Sequence, residues 1–393
     1  MQLIDYIEQN TATFDEQPFS EVDALALTQA CMVDARWLVP DVPSESDALS
    51  RSHTLLGRLL ARAASKSTPT RLVDLVRAEH FEHMFLGLVP GDIKRCLYAL
   101  AASPRFRDLV LSCHRMVVDD LVPTQFGALA FSWRDAFTFV GFQGTDAPFP
   151  GWRENVDMAW RGTMPAHEQA RIYLEEMSEH VPGVLHAGGH SKGGNLALYA
   201  TLMSSPKVME RIAAVWAFDA PGFARGLFSP ADYQALGDRV HRVVPERSVV
   251  GMLLDAPEAK VVRSDAAPLM QHSVFTWQIE AGQLVLGTLD EGSRAVHEML
   301  NAWLARTDRE RVQQVADALF DAVESSGCSD ARALMMGGTP ALQRLLDAVW
   351  HLPREQRNLL SDVAAELGAV AWERMGRDVV STLAELWSKG ATD

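Results

Sequence analysis

The chain is short of cysteine, of basic charge and of long apolar runs, and each shortage closes off a class of protein. Its 393 residues hold four cysteines, Cys31, Cys96, Cys113 and Cys328. They are too scattered for a disulfide framework or a paired-cysteine metal site, which fits a reducing compartment. Lys and Arg number 36 against 51 Asp and Glu, a formal net charge of −15 at pH 7. A dedicated nucleic-acid binder needs a basic face, so no nucleic-acid partner is expected. No apolar run approaches the ~20 residues of a transmembrane helix. The opening MQLIDYIEQNTATFDEQPF is acidic and has no apolar core, so it does not read as a signal peptide. A soluble, cytoplasmic protein is the expectation. What the chain does have is 48% apolar residues, enough for a sizeable core and too many for global disorder.

The most informative stretch is Val184–Ala200, VLHAGGHSKGGNLALYA. An apolar approach leads through Gly189-His190-Ser191-Lys192-Gly193 into an amphipathic helix. This is the G-x-S-x-G pattern that projects a nucleophilic serine from a sharp strand-to-helix turn. At Gly189 and Gly193 a β-carbon would collide with the adjoining strand or helix. The helix N-terminus after Ser191 presents free N–H groups to a developing oxyanion. A P-loop is excluded, because there the lysine precedes the serine or threonine.

Around this corner the pattern reads as a mainly helical region 1–110, a core 111–290 and a helical extension 291–393. Helices are expected from Ser20 to about Ala35 and over Ser46–Ala64, Arg71–His83 and Asp92–Ala101. His80 and His83 form an H-x-x-H pair that nothing nearby completes into an evident metal site, so packing is the reading and no metal is expected. Cys113–Asp119 is β-prone. Phe126–Trp133 faces Ala136–Phe142 across a hairpin turn. Further strands are expected before Ser191, at Arg211–Phe218, Arg239–Val244, Val261–Ser264 and Phe275–Ala281. Strands alternating with helices imply an α/β fold, with a mostly parallel sheet covered by helices on both faces. Sites in such sheets lie beyond the carboxyl ends of the strands, where Gln143–Thr145, Ser191, Asp219 and Glu246 all fall.

A serine nucleophile needs a base, and the base an orienting acid, in the chain order Ser, Asp or Glu, His. Of the later histidines, His241 falls in a strand and His297 and His351 on tail helices. His272 lies in a loop after a strand and is the candidate base. Asp219, just after a strand and before a Pro-Gly turn, is preferred as the acid. Glu246, after the next strand, is the second candidate, unless Arg247 holds it in a salt bridge. The oxyanion donors expected are the N–H of Lys192 and, from the earlier strand-end loop, Thr145, with Gly144 allowing close approach and Asp146 shaping the loop. The excursion Ala224–Asp238, with Phe223, Leu227, Phe228 and Tyr233 around it, is a candidate cover for an acyl site.

Several of these motifs together resemble a known family. Phe142-Gln143-Gly144-Thr145-Asp146 resembles the F-R-G-T-D of class 3 lipases, and Gly189–Ala197 resembles their elbow. With Lys192 in that elbow, Phe19–Asp23, Asp219–Phe223, Ser248–Leu254 and Gln271–Trp277 are similar to a narrower bacterial group, the Mbeg-like, lipase-related α/β-hydrolases. The resemblance spans roughly residues 1–285. It implies an α/β-hydrolase fold with Ser191 as nucleophile and no known substrate, and the serine chemistry itself requires no metal or cofactor. Gln143 departs from the family's arginine, and Glu246 falls near the usual place of the acid, so the acid stays open between Asp219 and Glu246. The leading expectation is a serine hydrolase of lipase or esterase type acting on a small-molecule or lipid ester. Against it stand a catalytically inactive binding or scaffold protein on the same fold, and an acyltransferase.

Overall fold

The computed structural model describes residues 1–42 and 69–369, apart from residues 120, 123, 148 and 337. The helix expected over Ser46–Ala64 lies outside the described residues. Seven strands lie side by side in chain order: β1 (Val110–Asp119), β2 (Thr124–Trp133), β3 (Phe137–Phe142), β4 (Val184–His190), β5 (Ile212–Phe218), β6 (Val240–Pro245) and β7 (Lys260–Val262). The first two pairings are antiparallel and the other four parallel. The expected hairpin is β2–β3, paired from Ala128 with Phe142 to Trp133 with Phe137. Parallel neighbours need crossovers, and helices supply them. Phe149–Arg161 and Pro165–Ser178 connect β3 to β4, and Lys192–Leu202 follows β4.

The side-chain alternation of a strand assigns the two faces. Leu129, Phe131 and Trp133 of β2 join one core with the N-terminal helices Leu3–Gln9, Glu21–Ala30 and Pro90–Ala102. Phe126, Ala128 and Ala130 join the other, with Tyr173, Leu174 and Leu196 from the crossover helices. Both faces of β2 and β3 are therefore buried, which is why these strands read as nearly continuous apolar runs. The result is an α/β-hydrolase-like, mostly parallel sheet with helices on both faces and a helical extension.

Helix Glu21–Ala30 starts where a capping box places it. Asp23 N donates to Ser20 Oγ at 3.2 Å, and Ser20 N donates back to Asp23 Oδ2 at 2.8 Å. It stops short of Ala35 because the next backbone pairs elsewhere: Val33 bridges Phe85 and Asp34 N donates to Met84 O. Asp23 is fully buried and takes a two-pronged contact from the equally buried Arg105, at 2.7 and 2.6 Å. The rest of that guanidinium donates to the carbonyls of Ala12, Gln17 and Pro18, tying the N-terminal segment to the core.

Two expected elements take other forms. Arg71–His83 is not one helix but two short 3-10 turns, Leu72–Leu75 and Ala78–His80. Leu72 N and Val73 N donate to Leu109 O and Arg107 O, so this backbone is committed to the chain entering β1. Phe275–Ala281 is a 3-10 turn, Val274–Thr276, followed by a two-residue strand, Ile279–Glu280. There Ile279 N donates to Met1 O rather than to the large sheet. After residue 290 the described residues are mostly helical, over Glu291–Arg306, Arg309–Ser325, Ala331–Met336, Gly338–His351 and 354–369. Asp290 and Asp308 cap the first two of these helices. Helix Arg309–Ser325 packs on Phe149–Arg161, where Arg153 pairs with Asp317. Among the described residues no helix is long and apolar enough to cross a membrane.

Candidate active site

β4 ends at His190, and helix Lys192–Leu202 begins one residue after it. Ser191 alone makes the turn, at φ 57° and ψ −129°, a conformation that side chains other than glycine rarely hold. The turn closes only because its neighbours lack β-carbons. One built on Gly189 would lie 2.1 Å from the Gly193 carbonyl carbon, and one on Gly193 would lie 2.2 Å from Phe142 O. Ser191 N donates to Phe218 O at 2.9 Å, which fixes the elbow to the end of β5. Among the described residues Ser191 Oγ has no hydrogen-bond partner, so the hydroxyl is free to meet a ligand.

Asp219 follows β5 and is fully buried, with its own φ at 42°. Its Oδ2 accepts from His272 Nδ1 at 2.6 Å. Its Oδ1 accepts from Ser248 Oγ at 2.5 Å and from Gly251 N at 3.1 Å. Both oxygens are thus used, and the bond to Nδ1 leaves His272 Nε2 as the acceptor nitrogen. His272 closes the 3-10 turn Pro268–His272, and His190 Nε2 donates to its carbonyl at 2.8 Å. Removal from water, then the neighbouring His272, pushes His190 down to about 3, so its ring is a neutral donor. Arg242 Nη2 reaches the carbonyls of Ala220 and Gly251 at 3.3 and 2.8 Å, on either shoulder of Asp219.

Ser191 and His272 line one cavity of about 110 Å³, together with Gly144 and Thr145. Its other walls are mostly apolar. Among the described residues the N–H groups of Thr145 and Lys192 have no internal acceptor. Thr145 Oγ1 accepts from Asn155 Nδ2 at 2.7 Å, and a β-carbon on Gly144 would press on His190 O at 3.0 Å. Asp146 Oδ1 accepts from Gly87 N at 2.6 Å, tethering the loop to the N-terminal region. Gln143, which stands at the family's arginine position, donates from Nε2 to Cys31 O at 2.8 Å. The Lys192 side chain turns away from the cavity, is buried, and pairs with the buried Glu154. Its ammonium also donates to Gln125 O at 2.7 Å. Burial pushes Lys192 below its usual range against the pull of Glu154.

The chain therefore brings together Ser191, His272, Asp219, Thr145 and Lys192, and leaves Glu246 aside. Glu246 packs against Gly287, and its backbone pairs with Val262 and Asp290. No hydrogen bond joins it to His272. Arg247 is paired with Asp290 at 3.8 Å, not with Glu246. The excursion 224–238 does not cover the cavity. Phe228 packs at 4.8 Å on Phe223 and at 5.9 Å on Tyr199, within the second core. The sequence reading missed Ser248, Arg242 and the Lys192–Glu154 pair. Ser248 alone carried a signal, since it opens one of the motifs of the resemblance. His80 and His83 stay apart from any ligand set, and among the described residues no group of three or more metal-binding side chains gathers.

The Mbeg1-like family profile matches residues 100–321, more than half of the chain. The chain belongs to the Mbeg1-like family. That span holds Thr145, Ser191, Lys192, Asp219 and His272, while the cavity wall of residues 29–93 lies outside it. No curated protein matches the chain. Among solved structures it is similar to a lipase from Rhizopus microsporus var. chinensis, at 17% identity and TM-score 0.31, over 50% of this chain and 70% of that one. It is also similar to a Rhizomucor miehei lipase propeptide complex, at 16% and 0.28, over 46% and 61%. A third likeness is to M37 lipase, at 11% and 0.31, over 60% and 69%. Likenesses this distant assign no activity.

Proposed function

We propose that this Mbeg1-like chain is a cytoplasmic serine hydrolase of carboxylic esters, working without metal or cofactor. Ser191 Oγ bonds to the ester carbonyl carbon as its proton passes to His272 Nε2. The carbonyl electron pair moves onto oxygen, where the N–H groups of Thr145 and Lys192 receive it. Buried Asp219 holds the ring in the tautomer that accepts this proton and stabilises the imidazolium that results. Collapse breaks the bond to the alcohol, which leaves with the proton from His272. Water then gives a proton to His272, attacks the acyl-serine, and releases the acid as the proton returns to Ser191.

The observation that carries this reading is the 2.6 Å bond from His272 to buried Asp219, on a ring lining the same cavity as Ser191. One observation favours the scaffold reading, namely that Ser191 Oγ makes no hydrogen bond to His272. Such contacts are often long without substrate and tighten in the reacting complex. Intact-mass labelling with a fluorophosphonate separates the two. A single adduct on the native chain, lost in Ser191→Ala and His272→Ala, is expected of the hydrolase. A native chain that takes no label is a scaffold.

A further inference from the structure

The cavity has two unlike walls. His272, with Met270, Ser273 and Val274 beside it, forms one. Gln29 and the apolar Met32, Leu86, Leu88, Val89, Ile93 and Trp152 line the rest, around the loop of Gly144 and Thr145. This second wall is fastened to that loop. Gly144 N contacts Met32 Sδ at 3.2 Å, and Gly87 N donates to Asp146 Oδ1 at 2.6 Å. Met32 and Ile93 are buried and anchored in the first core.

In the reaction above, His272 must hand its proton to the departing oxygen. The alcohol half of the ester therefore lies on the His272 side. The acyl chain then points away from His272, along the wall that residues 32 and 86–93 build. Among the described residues no Lys or Arg lines that wall; the Arg332 guanidinium that reaches it is bonded to Gly87 O, and the Gln29 amide donates to Thr28 Oγ1, so no free cation meets a carboxylate or phosphate on the acyl group. Its size sets the length. Benzene, with six carbons, occupies an engineered apolar cavity of roughly 150 Å³. A cavity of about 110 Å³ on that scale takes an unbranched chain of roughly four or five carbons.

We propose that the N-terminal region forms the acyl-binding wall of this site and selects short, neutral acyl groups, with Leu88 and Val89 as residues that set the length. The inference rests on the ester-hydrolase reading and adds to it the class of substrate. It places selectivity in residues 32 and 86–93, not in the excursion 224–238 or the tail.

The test is a series of 4-nitrophenyl esters from acetate to dodecanoate on the full chain, with fluorophosphonate labelling of the same preparation. The expected profile peaks at butanoate or pentanoate, with kcat/KM for dodecanoate at least about tenfold lower, the scale of one misfitted methylene or more in an apolar pocket. Leu88→Ala and Val89→Ala are half-buried changes expected to move the peak to longer chains, and Val89→Phe to move it to acetate. Leu227→Ala, in the excursion that does not line the cavity, should leave both the profile and the labelling unchanged. A native chain that labels and hydrolyses, but with a flat profile or one rising to dodecanoate, overturns the acyl-wall inference and leaves the hydrolase reading standing. So does a profile that the Leu88 and Val89 variants leave unmoved. A chain that neither labels nor hydrolyses any ester overturns the hydrolase reading, and the inference falls with it.

Discussion

Asp219→Asn is the change whose consequence is most closely fixed by the geometry. The two side chains have the same shape, so Ser248 Oγ and Gly251 N keep an oxygen to donate to at Oδ1. The amide nitrogen then replaces Oδ2 opposite His272 Nδ1, at the present 2.6 Å. Two donors cannot face each other, so His272 switches tautomer, Nδ1 becomes the acceptor and Nε2 carries the hydrogen toward Ser191. A ring in that state cannot take the serine proton. The expected loss is about 10⁴-fold in kcat, by analogy with the same exchange in a serine protease triad. That is about 5.4 kcal/mol of transition-state stabilisation, at 1.36 kcal/mol for each tenfold. Stability should change little, because the shape and the Oδ1 contacts survive. The assay is kcat/KM on a short 4-nitrophenyl ester, beside a melting curve, with Glu246→Gln as the control. Activity of Asp219→Asn within tenfold of native, or a collapse in Glu246→Gln instead, would refute the assignment of the acid.

Ser248→Ala removes one of the two donors to Asp219 Oδ1 and should lower kcat by about tenfold with KM unchanged, read by steady-state kinetics. Gly193→Ala drives a methyl into the Phe142 carbonyl, and is expected to cost about 3 kcal/mol or more and to abolish fluorophosphonate labelling, checked by calorimetry and intact mass. Arg105→Met leaves the Asp23 carboxylate buried without its cation, at a cost of about 3–5 kcal/mol in urea unfolding, and adding Asp23→Asn should restore part of it. His167 is buried, with Nε2 on Asn195 Oδ1 at 2.7 Å, and burial holds it at about 4. The unfolded chain takes up that proton from about pH 6.5 downward while the folded chain does not. Stability is therefore full above about pH 6.5 and falls toward pH 4, by up to about 3 kcal/mol for this one ring. The urea midpoint should drop between pH 7.5 and pH 5, and His167→Gln should lessen that drop by its own share, the buried His186 and His190, also held low, supplying the rest.

The parts of the fold legible in the sequence are those whose local chemistry and final environment agree. The elbow is one, because the G-x-S-x-G pattern announces the turn by itself, even though Gly193 answers to the Phe142 carbonyl of β3 and only Gly189 to a near neighbour in the chain. The β2–β3 hairpin is another, since its apolar residues alternate between two cores. The capping box of Ser20 and Asp23 announced its helix. What escaped depended on partners far along the chain. Nothing local says that residues 72 and 73 pair with 109 and 107, so an apolar period there reads as a helix. Residues 275–281 look like a strand, but their backbone bonds are divided among Met1, Arg263 just past β7, and short turns. At the site, Ser191, Asp219 and His272 followed from residue type, chain order and strand ends. The preference for Asp219 over Glu246 came from its strand end and Pro-Gly turn, while its pairing with His272 depends on the tertiary path of the 268–272 turn, which carries His272 to the end of β5. The Glu154 partner of Lys192 was invisible because the two meet 38 residues apart, inside the core.

The central claim is that Ser191 becomes acylated, and the most direct measurement is to catch that species. Native chain mixed with a 4-nitrophenyl butanoate substrate, quenched in acid within milliseconds and digested, should show the butanoyl mass on the peptide carrying Ser191. The adduct should be missing in Ser191→Ala and in His272→Ala, which lacks the base for acylation. Ester turnover by native chain with an unmodified Ser191 peptide, or with the acyl group on another residue, would contradict the account.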